Sequence, residues 1–183
     1  MASKYTINNP EGIYFITFAT VEWVDVFSRA IYKDIVIESL RYCQDKKGLI
    51  LHAYVIMSNH VHLIASAKNG YHLSDILRDM KKYTSKQILK TIQASTIESR
   101  KRWMIWLFKT HGEENSNNVS FQFWQQDNHP IELSTNQMQE QRLEYIHQNP
   151  VKAGIVYQSR HYVYSSAASY AGEVGLLELV FLE

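Results

Sequence analysis

The stretch Leu49–Ala67, LILHAYVIMSNHVHLIASA, contains two apolar runs divided at Ser58-Asn59. Leu49 to Met57 and His60 to Ala67 read as strands. The polar pair between them is short enough for a tight hairpin, and Asn tolerates a left-handed turn position. Alternate side chains of a strand share a face, so His60 and His62 point the same way. Val61, between them, points to the other face, as a core residue should.

Working outward, Ile13 to Thr20 (IYFITFAT) is rich in β-branched and aromatic residues and predicts a strand. Ile31 to Lys47 carries Ile31, Ile35, Val36, Leu40 and Cys43 at helical spacing, with Gly48 as the stop. Leu73 to about Ala94 predicts a long helix, capped by Ser74 with Asp75 in the first turn. Its apolar stripe is Ile76, Leu77, Met80 and Tyr83. Residues 95–120 are less regular, and Glu113 to Asn118 reads as a solvated loop. Phe121 to Ile131 contains a fourth strand. Ser134 with Gln137 resembles a capping box, opening a helix that runs to about Asn149, where Pro150 stops it. The short apolar pieces of 155–183 resist assignment.

The resulting order is β-α-β-β-α-β-α, an α+β arrangement. Its first six elements fit a ferredoxin-like split β-α-β antiparallel sheet with helices on one face. The other face is left for a ligand or for the added C-terminal helix. We expect one domain over 1–183, with a core of about 10–170 and 171–183 as an unassigned tail.

Formal net charge is +1, so nucleic-acid contact would have to come from local patches. The chain has 12 Tyr, 7 Phe and 4 Trp, which suit either a large-residue core or stacking platforms for unpaired bases. The one cysteine, Cys43, excludes an internal disulfide framework and a multi-cysteine zinc site. No segment approaches the roughly 18 apolar residues of a membrane span. The first ten residues do not read as a signal peptide. A cytoplasmic protein without membrane association is expected.

Two imidazoles on one rigid strand form a pincer for a divalent metal. Two His separated by one residue also occur by chance. Tyr145 and Asn149 are four residues apart on the last helix and share a face, with Met138 and Arg142 extending the stripe. Leu143 and Ile146 lie on a neighbouring face that can pack on the sheet. A helix tyrosine is more often a boundary residue, and Asn is a common helix terminator. Arg78, Lys82, Lys86 and Lys90, with Lys81 beside them, form a positive stripe able to follow a phosphate backbone, or a solvated helix face. Arg100, Lys101, Arg102 and Trp103, with Trp106 and Lys109, mix cations and aromatics as single-strand binders do, and a buried amphipathic helix would look similar. Phosphate loops, the His-Glu-x-x-His and Gly-x-Ser-x-Gly motifs and an RNP1 pattern are all missing. The remaining histidines (52, 72, 111, 129, 147 and 161) show no metal spacing among themselves.

The stretch Tyr54 to Ile64, YVIMSNHVHLI, resembles the His-hydrophobic-His signature of single-strand DNA transposases. The stretch Leu143 to Val156, LEYIHQNPVKAGIV, resembles the nucleophile helix and following turn of their REP-associated tyrosine transposase branch. The two motifs lie in the order of that family, about 80 residues apart. Ser58 stands where the family commonly has Pro, the insert of about Ser95 to Ser120 is long, and the tail after Ala171 has no counterpart.

The resemblance implies that His60 and His62 bind a divalent metal, Mg²⁺ or Mn²⁺, and that Asn149 supplies a third ligand. From the residues alone Zn²⁺ or Ni²⁺ would serve equally. It implies that Tyr145 is the nucleophile, cleaving and rejoining single-stranded or hairpin DNA through a 5′-phosphotyrosine. The DNA-contacting set would be Arg78, Lys81, Lys82, Lys86, Lys90, Arg100, Arg102, Trp103, Arg142 and Lys152. Relatives of this general type include dimers, so a homodimer is a further expectation. The competing readings are a noncatalytic single-strand binder of the same fold, a water-using hydrolase, and a domesticated transposase acting as a regulator.

Overall fold

Strand β1 (Tyr14–Ala19) divides its side chains between two different environments. Tyr14, Ile16 and Phe18 enter the larger hydrophobic core, and Phe15 enters a smaller one on the opposite face. The computed structural model describes residues 6–114, 120–126 and 129–182. Its other principal elements are α1 (Ala30–Lys46), β2 (Leu49–Ile56), β3 (His60–Ala67), α2 (Leu73–Ala94), α3 (Lys101–Glu113), β4 (Ile131–Glu132), α4 (Asn136–Lys152) and α5 (Ala167–Tyr170).

The sheet order is β2-β3-β1-β4, and every neighbouring pair is antiparallel. This is the expected ferredoxin-like α+β arrangement. Helices α1 and α2 bury Val36, Leu40, Cys43, Ile76, Leu77 and Met80 against one face. Two residues of the expected stripes turn outward, since Ile31 and Tyr83 are each 52% exposed. Among the described residues no helix is long and apolar enough to cross a membrane.

Strand β2 contains a bulge that reverses its alternation. Its pairing with β3 skips His52, between Leu51 and Ala53. Leu49 and Leu51 face the helices before it, and Tyr54 and Ile56 after it. One extra residue inverts the two-residue period, so Ala53, Val55 and Met57 reach the open face. The outer edge of β2 is covered by the C-terminal segment. Ile56 N–H donates to Tyr164 O (2.9 Å), Ser166 N–H to Tyr54 O (2.9 Å) and Val180 N–H to Leu51 O (3.0 Å). The tail that resisted assignment therefore contributes edge contacts that have no helical or strand period of their own.

Helix α4 lies on the open face, with Leu143 and Ile146 packed among Phe15, Val55 and Ile64. It does not stop before Pro150. Its end is a Schellman turn, with Ile155 N–H donating to Pro150 O, Gly154 N–H to Val151 O, and Gly154 at φ 70°. Pro150 is tolerated because it falls in the last turn, where its missing N–H removes a single helical bond. The cap is Thr135 rather than Ser134, with Met138 N–H donating to Thr135 Oγ1 at 3.2 Å. Likewise α2 starts after His72, and Ser74 sits inside it without capping.

Two segments resolve what the sequence leaves open or misplaces, the first by taking the amphipathic-helix alternative. Residues 101–113 form a regular helix, α3, burying Met104, Leu107 and Phe108. The fourth strand is only Ile131–Glu132, at the end of the expected window. Phe123 and Trp124, upstream of it, pack on Phe27 and Phe108 instead, and Trp124 makes one isolated bridge with Thr20. Residues 115–118 of the expected solvated loop, and 127–128 of the expected strand, lie outside the described residues.

The start of α3 is tied to α1 by a buried carboxylate. Glu98 accepts from Arg29 Nε at 2.8 Å and lies 3.4 Å from Arg100 Nε, and Arg100 also pairs with Asp25. Removing one member of a buried cluster leaves the others uncompensated. Both guanidiniums reach water, which moderates the loss. Glu98→Gln should destabilise the fold by about 2–3 kcal/mol in urea unfolding; an unchanged midpoint would mean that this cluster does not anchor α3.

Candidate active site on the open face of the sheet

The register of β1 against β3 sets Thr17 opposite His62 and Ala19 opposite His60. Both imidazoles lie on the face turned away from α1 and α2. Their ring centroids are 4.7 Å apart. His62 is 5% exposed, with Thr17 Oγ1 2.8 Å from its Nδ1. His60 is half-buried, and its Nδ1 lies 2.7 Å from Asn59 Oδ1. Since an amide oxygen only accepts, His60 Nδ1 carries the proton and its Nε2 keeps a lone pair. Nε2 of His62 is buried and has no hydrogen-bond partner among the described residues. Buried polar atoms without partners are uncommon and mark sites that something else can fill.

Both rings are held neutral. Burial pushes His62 down to about 3, with the charges of His60 and Arg142 adding to it. Burial also lowers His60, opposed by a hydrogen bond in which the Asn149 side chain accepts from the ring. Neutral imidazoles with Nδ1 occupied by an oxygen partner are the form that ligates metals through Nε2. The donor set on offer is two imidazole nitrogens and the Asn149 amide oxygen, which suits a divalent cation. Among the described residues no three His, Cys, Asp or Glu side chains gather to hold a metal.

Helix α4 brings its expected stripe to this point. The Tyr145 ring meets His62 edge-on, with centroids 5.2 Å apart, and Phe15 at 5.9 Å. It remains 39% exposed, so its face is open to a ligand. Asn149, one turn further on, reaches His60. Arg142, one turn before, lies over the Phe15 ring at 4.8 Å and the Tyr145 ring at 6.0 Å. Phe15 in turn stacks on His62 at 5.2 Å. A tyrosine, a guanidinium cation and two neutral imidazoles therefore share one surface.

The remaining candidates lie elsewhere. Lys82, Lys86 and Lys90 are exposed on α2, in the helix layer on the far side of the sheet. Arg78 in that helix is paired with Asp75 and Asp79, and Lys81 donates to Gln125 O at 2.8 Å. Arg100 belongs to the Glu98 cluster. Arg102 and Trp103 are exposed on α3, and Lys152 is exposed at the end of α4. Four residues at the site escaped the sequence analysis, namely Phe15, Thr17, Asn59 and Trp23. The alternation of β1 could have found Thr17. No local pattern signals Trp23, whose ring meets His60 at 5.8 Å.

Residues 11–106 match the model of the family described as "Transposase IS200 like". The chain belongs to the IS200-like transposase family. The matched stretch includes His60 and His62 and ends before Tyr145. The structure also resembles a REP-associated tyrosine transposase bound to a REP hairpin, with a TM-score of 0.65 and 16% identity, over 100% of this chain and 94% of that one. At that identity the likeness bears on the fold alone. A chain of Deinococcus radiodurans R1 assigned as a transposase aligns at a TM-score of 0.48 and 17% identity, over 80% of this chain and 94% of that one. No curated protein matches the sequence.

A pH dependence follows from the buried rings of this transposase. His147, on the sheet-facing side of α4, bonds Ser166 Oγ at 2.9 Å and is pushed down to about 4 by burial. His62 and His147 both lie below the ordinary 6.5. The unfolded chain then takes up protons first as pH falls, so their stability is complete above pH 6.5 and is lost towards pH 4. Each should contribute a slope of about 1.4 kcal/mol per pH unit in that window. Urea unfolding near pH 7 and near pH 5 should show this loss, and His147→Gln should reduce it. The same slope in both proteins would contradict the assignment.

Proposed function

We propose that this transposase cleaves and rejoins single-stranded DNA through a covalent tyrosine intermediate, with Tyr145 as nucleophile. The observation that carries the reading is the packing of the Tyr145 ring on His62 while Asn149, one turn along the same helix, reaches His60. His60, His62 and the Asn149 amide would hold the metal. Bound there, Mg²⁺ or Mn²⁺ would polarise a non-bridging phosphate oxygen and offset charge developing in the transition state.

The chain's own residues do the rest. The Tyr145 oxygen attacks phosphorus and loses its proton to solvent. The bond from phosphorus to the 3′ oxygen breaks, and that oxygen takes up a proton as a free hydroxyl. A 5′-phosphotyrosine remains. It conserves the phosphodiester, so a second 3′ hydroxyl can reverse the step and join a new strand without a nucleotide cofactor. Arg142 makes no ion pair among the described residues and lies against the ring that attacks. Its charge is available to a scissile phosphate. Phe15 and the aliphatic residues under α4 keep Tyr145 from turning away.

A strand must be unpaired for its phosphate to enter between α4 and the central β1–β3 pair. Hairpins with single-stranded arms are therefore the natural substrate, and the hairpin bound by the similar REP-associated enzyme supports this choice. The chain would act as a DNA transposase or endonuclease inside the cytoplasm, and a dimer in which partners exchange strands is compatible with it. A metal-dependent hydrolase finds less support, because no carboxylate gathers with the two imidazoles among the described residues.

The test is a denaturing gel of the protein with labelled DNA hairpins from beside its own gene, in Mg²⁺ or Mn²⁺. A covalent protein–DNA band should form and should vanish with chelator. Tyr145→Phe should abolish it while leaving DNA affinity within a few-fold. His60→Ala should reduce adduct formation at least about a hundredfold together with metal binding. An adduct surviving in Tyr145→Phe would move the nucleophile elsewhere. Binding with no adduct under either metal would favour a noncatalytic binder or regulator.

A further inference from the structure

The chain leaves β1 through a turn whose backbone is strained at an exposed tryptophan. Glu22 and Trp23 hold left-handed conformations, with φ 52° and 53°. This region is unfavourable for residues with a side chain, and bulky ones rarely adopt it. Strain of this kind persists only where surrounding contacts impose it, and it concentrates at functional sites.

The contacts here are specific. Trp23 N–H donates to Thr20 O (3.0 Å), Thr20 N–H to Asn59 O (3.0 Å), and Thr20 Oγ1 to Val24 O (2.8 Å). The Asn59 carboxamide then works at both ends. Its Nδ2 donates to Trp23 O at 3.1 Å, and its Oδ1 accepts from His60 Nδ1 at 2.7 Å. One side chain thus fixes the backbone of the tryptophan and the ring orientation of a proposed metal ligand. The indole is 53% exposed and meets His60 edge-on at 5.8 Å.

The four tryptophans are placed very differently. Trp124 is buried in the core, and Trp103 and Trp106 are exposed on α3. Trp23 alone has a ring contact with His60 or His62. A base next to a reacting phosphate must be unstacked from its neighbours and held in one orientation. A rigid, exposed indole supplies a face for that, independent of base identity. The strained turn explains how the ring is held up beside the site rather than laid against the core.

We propose that Trp23 is a stacking platform for an unpaired base adjacent to the reacting phosphate, and so sets which nucleotide is presented to Tyr145. This rests on the strand-transfer reading of the open face. Its test is chosen to be independent of the covalent step.

Affinity is measured by anisotropy, in chelator, for labelled hairpins with single-stranded arms. Trp23→Ala should weaken binding about ten- to a hundredfold. Trp23→Phe should recover most of that loss. Trp23→Gly should bind as poorly as Trp23→Ala, while its unfolding midpoint stays equal or rises, because glycine adopts the left-handed turn without strain. Abasic nucleotides are then scanned along the arm. At one position, the wild type and Trp23→Ala should bind equally, which locates the stacked base. Unchanged affinity in Trp23→Ala, or an abasic effect that is the same at every position, would overturn the proposal. If no Tyr145 adduct forms but the abasic position is found, the chemistry fails and the platform stands. If the adduct forms and Trp23→Gly keeps full affinity and rate, the platform fails and the chemistry stands.

Discussion

The pairing of β1 with β3 is the constraint on which the site depends. A strand shows its side chains to two faces in strict alternation, so a slip of one residue would exchange them. His60 and His62 would then turn under α1 and α2, and Val61 and Leu63 would face the open side. The register is held because Ile16, Phe18, Val61 and Leu63 are all buried in one core. The histidines are therefore placed by the apolar residues between them. The bulge at His52 extends the same logic to β2, letting that strand serve the helix layer along its whole length and still deliver Val55 and Met57 to α4.

Helix α4 is oriented by its apolar side. Ile146 and Leu143 pack on the smaller core, which sets the helix rotation about its axis. Tyr145, Arg142 and Asn149 lie on the adjacent stripe and consequently meet the imidazoles. Burial there has an electrostatic result as well. Both rings are kept uncharged beside Arg142, so the local positive charge sits on a guanidinium and the nitrogen lone pairs stay free. Among the described residues Nε2 of His62 is buried with no hydrogen-bond partner. This is the arrangement on which the tyrosine strand-transfer proposal for this IS200-like family member stands.

The two faces of the molecule differ in kind. The open face combines aromatics, neutral imidazoles and Arg142. The opposite layer carries Lys82, Lys86 and Lys90 of α2 in the open. Residues that a sequence stripe groups together as one basic surface are divided by ion pairing, as Arg78 and Arg100 show. Asn59 joins the hairpin turn to the exit of β1, which is why a turn residue of the first sequence motif bears on the geometry of both His60 and Trp23.

The local periods of the sequence determined the hairpin, the long α2, the ferredoxin-like strand order and the shared faces of His60 with His62 and of Tyr145 with Asn149. These are properties of neighbours in the chain, and a period of two or about 3.6 states them directly. The sequence motifs also pointed to the family, whose model matches 11–106. What only the tertiary structure decided depends on distant residues. Helix α3 had no clear signal because its aromatic and basic residues mask the apolar stripe that packs it. The fourth strand shrank to Ile131–Glu132 because Phe123 and Trp124 gain more from burial against Phe27 and Phe108 than from a ladder. Thr17 and Trp23 became part of the site through strand pairing and a strained turn. Trp23 leaves no mark in the local sequence, and the alternation of β1 gives only the face of Thr17, because contacts across tens of residues are set by packing and hydrogen bonding in the folded chain.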